Sequence, residues 1–259
     1  MEINVDKLLR TIKLSAQIIL ENGGETYRAE ETINFICKSA GVKEIDAIAT
    51  PTGIYITISI DGVENNTVVK RISKRSINLA KLNRVNNISR QLTEKSITLD
   101  DAIVQLEETR DGTEDNHKFY SYFYGGISAA FFTLVFGGGI FEFFISLISG
   151  IMVTITTKKI ENLHSYQFYS SILAGIIIAS FAIISTHFAN YGNYNYVIVG
   201  GIMPQLPGLA MTNAIRDTIR GDLISGMARG AEALLVASSL AAGTGVIISI
   251  AYAIGFLPI

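Results

Sequence analysis

Two spacings of apolar residues organise the first part of the chain. Val5, Leu8, Leu9, Ile12, Ala16 and Ile19 recur at helical intervals across Val5–Leu20, and Asn22-Gly23-Gly24 closes that stripe with residues suited to a helix end. Glu25–Ala40 reads as a second helix stopping at Gly41. The period then changes to two. Ile54, Ile56, Ile58 and Ile60 alternate with Tyr55, Thr57 and Ser59, and Asp61-Gly62 is a hairpin pair leading into a returning strand near Val63–Ile72. Glu44–Thr50 fits a third strand. Ile77–Glu94 and Leu99–Thr109 are two further helices, the second opened by Thr98 with Asp100-Asp101. Residues 1–116 therefore read as an N-terminal α+β domain, a small antiparallel sheet with helices, whose last stretch, Arg110–Asn116, is a charged linker.

From residue 117 the amphipathic patterns give way to long apolar runs. A helix needs about 20 mostly apolar residues to cross a bilayer. Residues 119–137, 140–157, 166–188, 194–215 and 231–256 meet that description, the first two joined by Gly137-Gly138-Gly139. Residues 117–259 thus read as an α-helical polytopic membrane domain of five transmembrane helices. Charge supports the division. Of the 21 Lys and Arg, all but Lys158, Lys159, Arg216, Arg220 and Arg229 precede Phe119, and Tyr166–Ile215 carries no charge at all. A water-exposed domain needs charge on every outer face, whereas hydrocarbon removes that need. With five passes, all 21 basic residues fall on one side. By the positive-inside rule that side is the cytoplasm, so the N-terminus is cytoplasmic and the C-terminus lies outside a cell membrane. Tyr120, Tyr122, Tyr124, Tyr166, Tyr169, Tyr191, Tyr194 and Tyr196 lie near span ends, where interfacial aromatics belong. Gly125-Gly126, Gly200-Gly201, Gly226 with Gly230, and Ala241-Ala242-Gly243 supply small residues through which membrane helices can pack.

Several chemistries are not expected. Cys37 is the only cysteine, so no intrachain disulfide forms, and Phe35-Ile36-Cys37 reads as core. His117, His164 and His187 share no ligand spacing, and no Walker loop, Gly-x-Ser-x-Gly elbow or HExxH pattern occurs. No metal, cofactor, enzymatic activity or nucleic-acid partner is expected. The charged residues spaced through Met1–Leu20 are not those of a signal peptide.

The segment from Gly201 to Asp217 concentrates the candidate chemistry. Pro204 and Pro207 stand within four residues, and each removes a backbone donor and crowds the preceding turn. Either the helix kinks there, or it opens and Pro207 starts a half-helix whose N-terminal N–H groups, at Gly208 and beyond, could meet a carboxylate. Thr212, Arg216 and Arg220 recur every four residues, with Asn213 and Asp217 beside them. Arg216, Asp217, Arg220 and Asp222 read as a gate or a substrate-binding cluster, or as ordinary charges at a membrane surface. In the first reading Arg216 takes a substrate carboxylate and Asp217 is its resting partner. Arg229 and Glu232, three apart, can pair. Glu142, near the outer end of a span, costs roughly 1–3 kcal/mol if it faces lipid, so it either reaches water or serves, for instance, in proton coupling. In the soluble half, Gly24-Glu25-Thr26-Tyr27-Arg28-Ala29-Glu30 places Glu25 and Arg28 three apart at a helix start, where acidic residues complement the dipole.

These stretches resemble the threonine/serine exporter family. The resemblance rests on Gly24–Glu30, on Ala49-Thr50-Pro51-Thr52-Gly53-Ile54, and on Leu206-Pro207-Gly208, Thr212-Asn213, Arg216-Asp217, Gly221-Asp222 and Ser225-Gly226. It covers nearly the whole chain in order. Full-length members carry a cytoplasmic α+β domain and about ten spans, so five spans resemble the larger subunit of a split, two-component type. The resemblance implies export of a small amino acid, threonine or serine, or in split systems of a small carboxylate such as succinate. The lack of a nucleotide motif points to secondary-active transport. The resemblance also implies a smaller membrane subunit as partner and an oligomeric assembly. A membrane-anchored ligand sensor is the alternative, and unbroken spans without polar residues would favour it.

Overall fold

The computed structural model describes residues 4–60, 63–112, 118–162 and 167–256. The expected hairpin pair Asp61-Gly62, the end of the expected linker at residues 113–116, and His117, His164 and Tyr166 lie outside the described residues. The chain divides into two compact units, Met1–Thr113 with Leu209–Gly230, and Glu114–Gly208 with Ala231–Ile259.

In the first unit, α1 (Val5–Glu21) starts at Asn4, whose side chain accepts the Lys7 N–H at 3.1 Å. The spacing suggests a one-sided stripe, but Thr11, Ser15 and Gln17 are buried with the apolar residues. The reason is its central place: α1 packs against α2 (Thr26–Ser39), α3 (Leu79–Thr93), α4 (Leu99–Asp111) and the sheet. Strands β1 (Glu44–Thr50), β2 (Gly53–Ile60) and β3 (Val63–Arg71) form an antiparallel sheet in the order β1-β2-β3. Ile56 pairs with Ala47 on one side and Val68 on the other. Ile54, Ile56 and Ile58 are fully buried while Tyr55 faces outward, as the alternation expects. Thr98 and Asp101 form a reciprocal capping box at the start of α4.

Helices α5 (Lys118–Val135), α6 (Ile140–Asn162), α7 (Gln167–Ala189) and α8 (Tyr194–Ile202) belong to the second unit, as does α10 (Leu223–Ala253) from Ala231 onward. Among the described residues three helices are long and apolar enough to cross a membrane, within α6, α7 and α10, rather than the expected five. The two shortfalls have separate causes. In α5, Lys118 and the tyrosines at 120, 122 and 124 dilute an 18-residue helix. The fourth expected span is interrupted at its prolines, leaving 9-residue α8 and 12-residue α9 (Gly208–Ile219). The helix of the expected fifth span, α10, begins at Leu223, earlier than the expected residue 231.

Small residues form much of the second unit's packing surface. Ala174, Ala179 and Ala182 of α7 are buried, and a Cβ on Gly175 would stand 2.5 Å from the Leu240 carbonyl oxygen. The α7 and α10 backbones meet there because no side chain intervenes.

Candidate functional site

The chain opens where the two prolines stand. After α8 ends at Ile202, Met203–Gln205 makes a single 3-10 turn and Leu206 is extended, with φ −66° and ψ 139°. Pro207 precedes α9, whose first helical residue is Gly208, one position later than the sequence suggests. The segment is a helix break rather than a smooth kink. It belongs to the second unit, whereas Leu209–Gly230 belongs to the first.

Within the first unit the two charged motifs, which the sequence reading treats separately, come together. The buried face of α9 carries Asn213 and Asp217, its exposed face carries Thr212 and Arg216, and Arg220, also exposed, follows directly after its last residue. Each face engages the start of α2. Asn213 Nδ2 donates to the Gly23 carbonyl at 3.3 Å. Glu25 occupies the N-cap position of α2 without capping it. Its carboxylate instead pairs with Arg216 through Oε1 and with Arg28 through Oε2, the latter at 3.1 Å. The next residue, Thr26, directs its hydroxyl at two carboxylates, 2.9 Å from Asp222 Oδ2 and 3.3 Å from Asp217 Oδ1. Tyr27 lies under Arg220, whose guanidinium carbon is 3.5 Å from the ring centroid. Arg229, from the first turns of α10, donates through a terminal nitrogen to the Gly24 carbonyl at 2.9 Å, and its Nε is 3.1 Å from Asp217 Oδ2. A Cβ on Gly24 would lie 2.5 Å from Ile19 Cγ2 and 2.8 Å from the Ile19 carbonyl oxygen, so the close turn from α1 into α2 requires glycine there.

Arg216 and Asp217 are therefore not each other's resting partners. About 100° separates consecutive helical residues, so Arg216 reaches Glu25 while Asp217 turns inward to Arg229 and Thr26. Asp217, past the end of the expected fourth span, is 1% exposed. Burial pushes its carboxyl above the ordinary range, with Arg229 and the Thr26 hydroxyl pulling the other way and Asp222 and Glu25 adding to the rise. Glu30 is also raised, first by burial and further by Asp222 and Asp217, against a 2.8 Å bond from the Ala49 N–H. The sequence reading singles out Glu25, Arg28, Arg216, Asp217, Asp222 and Arg229, but it misses Thr26 as a bonding group and Tyr27 as the platform for Arg220. Their only signal is membership of the Gly24–Glu30 motif.

Glu142 and Glu232 belong to the second unit. Glu142 is buried, and its two carboxylate oxygens accept the backbone N–H groups of Gly139 and Asn193, each at 2.9 Å. Asn193 caps α8, so one carboxylate holds the starts of both α6 and α8. Glu232, the second residue of the second unit's part of α10, is half-buried.

Comparison with known proteins gives a match over residues 10–251 to the ThrE family, described as "Putative threonine/serine exporter". No curated protein and no solved structure matches the chain. The family match spans nearly all of both units, with the Gly24–Glu30 motif and the α9 cluster inside it. Its apolar helices suit a membrane location, and the family is one of transporters rather than enzymes. The chain belongs to the threonine/serine exporter family and is a membrane exporter of that type.

Proposed function

We propose that this chain exports a small zwitterionic amino acid, threonine or serine, and that Arg216, Asp217 and Asp222 form its loading site. The observation that carries the reading is the mixed-charge cluster on the helix that follows the proline break. Arg216 offers a planar fork for a carboxylate. Asp217 and Asp222 offer acceptors for an ammonium. The near balance of Arg28, Arg216, Arg220 and Arg229 against Glu25, Glu30, Asp217 and Asp222 suits a zwitterion better than a dicarboxylate such as succinate.

In this reading the membrane is crossed five times, with α5 and the broken α8–α9 pair completing the set. All 21 basic residues then lie in the cytoplasm, with the N-terminus inside and the C-terminus outside. The break at Pro204–Gly208 lines the substrate path, because irregular backbone at membrane depth is tolerated where it lines a cavity. A smaller membrane subunit completes the pathway. The test is efflux of labelled threonine from cells expressing the chain with and without such a subunit, corrected for protein level. Pro207→Ala should reduce efflux while the protein still inserts and folds. Wild-type efflux from Pro204→Ala/Pro207→Ala would leave the break with a packing role only.

A further inference from the structure

We propose that the first residues of α2, Glu25 and Thr26, are a built-in plug that occupies the loading site and must be displaced by the incoming amino acid. The inference rests on the loading-site reading above. Glu25 places a carboxylate on Arg216, where that reading puts the carboxylate of the substrate. Thr26 places a hydrogen-bond donor between Asp217 and Asp222, where it puts the ammonium. Two adjacent residues of the chain thus supply, in order, an anion and a donor.

The plug is an imperfect occupant. Thr26 has one hydroxyl hydrogen for two carboxylates, so one acceptor is always short of a donor. An ammonium brings three donors and a positive charge, and can satisfy both. The Ser225 hydroxyl is buried without a hydrogen-bond partner, and its own backbone N–H donates to Asp222 Oδ1 at 3.3 Å. When released, Glu25 keeps Arg28 as a partner, which is 3.1 Å away on its other oxygen. The plug can therefore leave Arg216 without stranding its carboxylate. This arrangement makes the α2 start a competitor whose removal tightens binding, rather than a support whose removal weakens it.

The test is binding of L-threonine to the full chain in lipid nanodiscs, with N-acetyl-L-threonine, which lacks the ammonium, as the control ligand. Glu25→Gln should bind threonine at least about fivefold more tightly than wild type, since it removes the anion competing for Arg216. N-acetyl-L-threonine, which keeps the carboxylate, should gain by a similar factor while binding more weakly throughout for want of the ammonium. Unchanged or weaker threonine binding by Glu25→Gln would overturn the plug. Arg216→Lys separates the two ideas. If it abolishes binding while Glu25→Gln brings no gain, the loading site stands and the plug falls. If it leaves binding unchanged, the loading site falls and the plug with it. A measurement on the wild-type chain guards against misfolding of the variant. Saturating threonine should speed amide hydrogen exchange across the first turn of α2, Thr26–Ala29, and unchanged or slowed exchange there would also overturn the plug.

Discussion

The two units are packed in opposite senses. In the first, the fully buried side chains include large ones, Leu8, Ile12, Ile18, Ile33, Ile36, Ile54, Ile56, Ile58 and Leu106, gathered in one core. In the second, buried positions are often small, such as Ala174, Ala179, Ala182, Ser146 and Ser149, while Phe131, Phe144, Ile148, Ile184 and Phe188 face outward. Water drives large apolar groups inward, and hydrocarbon does not. Where lipid removes that drive, helices associate through surfaces that let backbones approach. The contrast suits an apolar surrounding for the helices of the second unit and a conventional side-chain core in the first.

The sharpest way to break this contrast is a pair of truncations. Leu8→Ala should cost about 2–5 kcal/mol, through lost burial and the cavity left behind. Phe144→Ala, at a side chain that is 56% exposed, should stay within about 0.5 kcal/mol. Thermal unfolding of both variants in detergent measures this, and equal losses would contradict the assignment of opposite solvents.

A second pair sharpens it. Gly175→Leu drives a side chain into the α10 backbone and should cost at least about 1–3 kcal/mol. Gly245→Ala, where a Cβ meets nothing within 4 Å, should be neutral or stabilise by about 0.5–1 kcal/mol through helix propensity. Similar behaviour of the two glycines in the same melting experiment would remove close backbone approach as the packing principle.

Glu142→Gln is the next in size. Glutamine has one acceptor oxygen, so it can hold only one of the Gly139 and Asn193 N–H groups at full strength. A loss of about 1–3 kcal/mol is expected, with any dependence of export per folded molecule on a proton gradient left as in wild type. Loss of that dependence with unchanged stability would make Glu142 a coupling residue instead of a staple.

The smallest effect concerns Glu30. Burial, as the leading cause, holds its carboxyl above its ordinary value of 4.5, so the fold disfavours the ionised form. Its contribution to stability is therefore fully present below about pH 4.5 and is lost as the pH rises through the folded pKa. Glu30→Gln, which can still accept the Ala49 N–H, should become more stable relative to wild type as pH rises across that window. A constant difference between the two melting curves would count against a raised carboxyl.

Periodicity shows most of the first unit, because strict alternation at Ile54–Ile60 and the Thr98 capping box are local signals. It shows less of α1, whose full burial depends on neighbours that surround it. Length and hydropathy mark α6, α7 and α10, while the α8–α9 interruption follows from Pro204 and Pro207. The site is legible as two motifs but not as one cluster. Nothing local in Glu25 or Thr26 shows that their partners lie about 190 residues away, at Arg216, Asp217 and Asp222. Spacing also favours the wrong pair, since Arg216 and Asp217 are adjacent in the chain yet face different partners.

The central claim is that Arg216 receives the carboxylate of an exported amino acid. Threonine efflux from proteoliposomes holding equal amounts of folded wild type and Arg216→Lys, together with any smaller subunit that transport requires, tests it most directly. Lysine keeps the charge and loses the planar fork, so the account predicts at least about a tenfold fall in efflux at low threonine, equivalent to about 1.4 kcal/mol. Efflux equal to wild type at all threonine concentrations would contradict it.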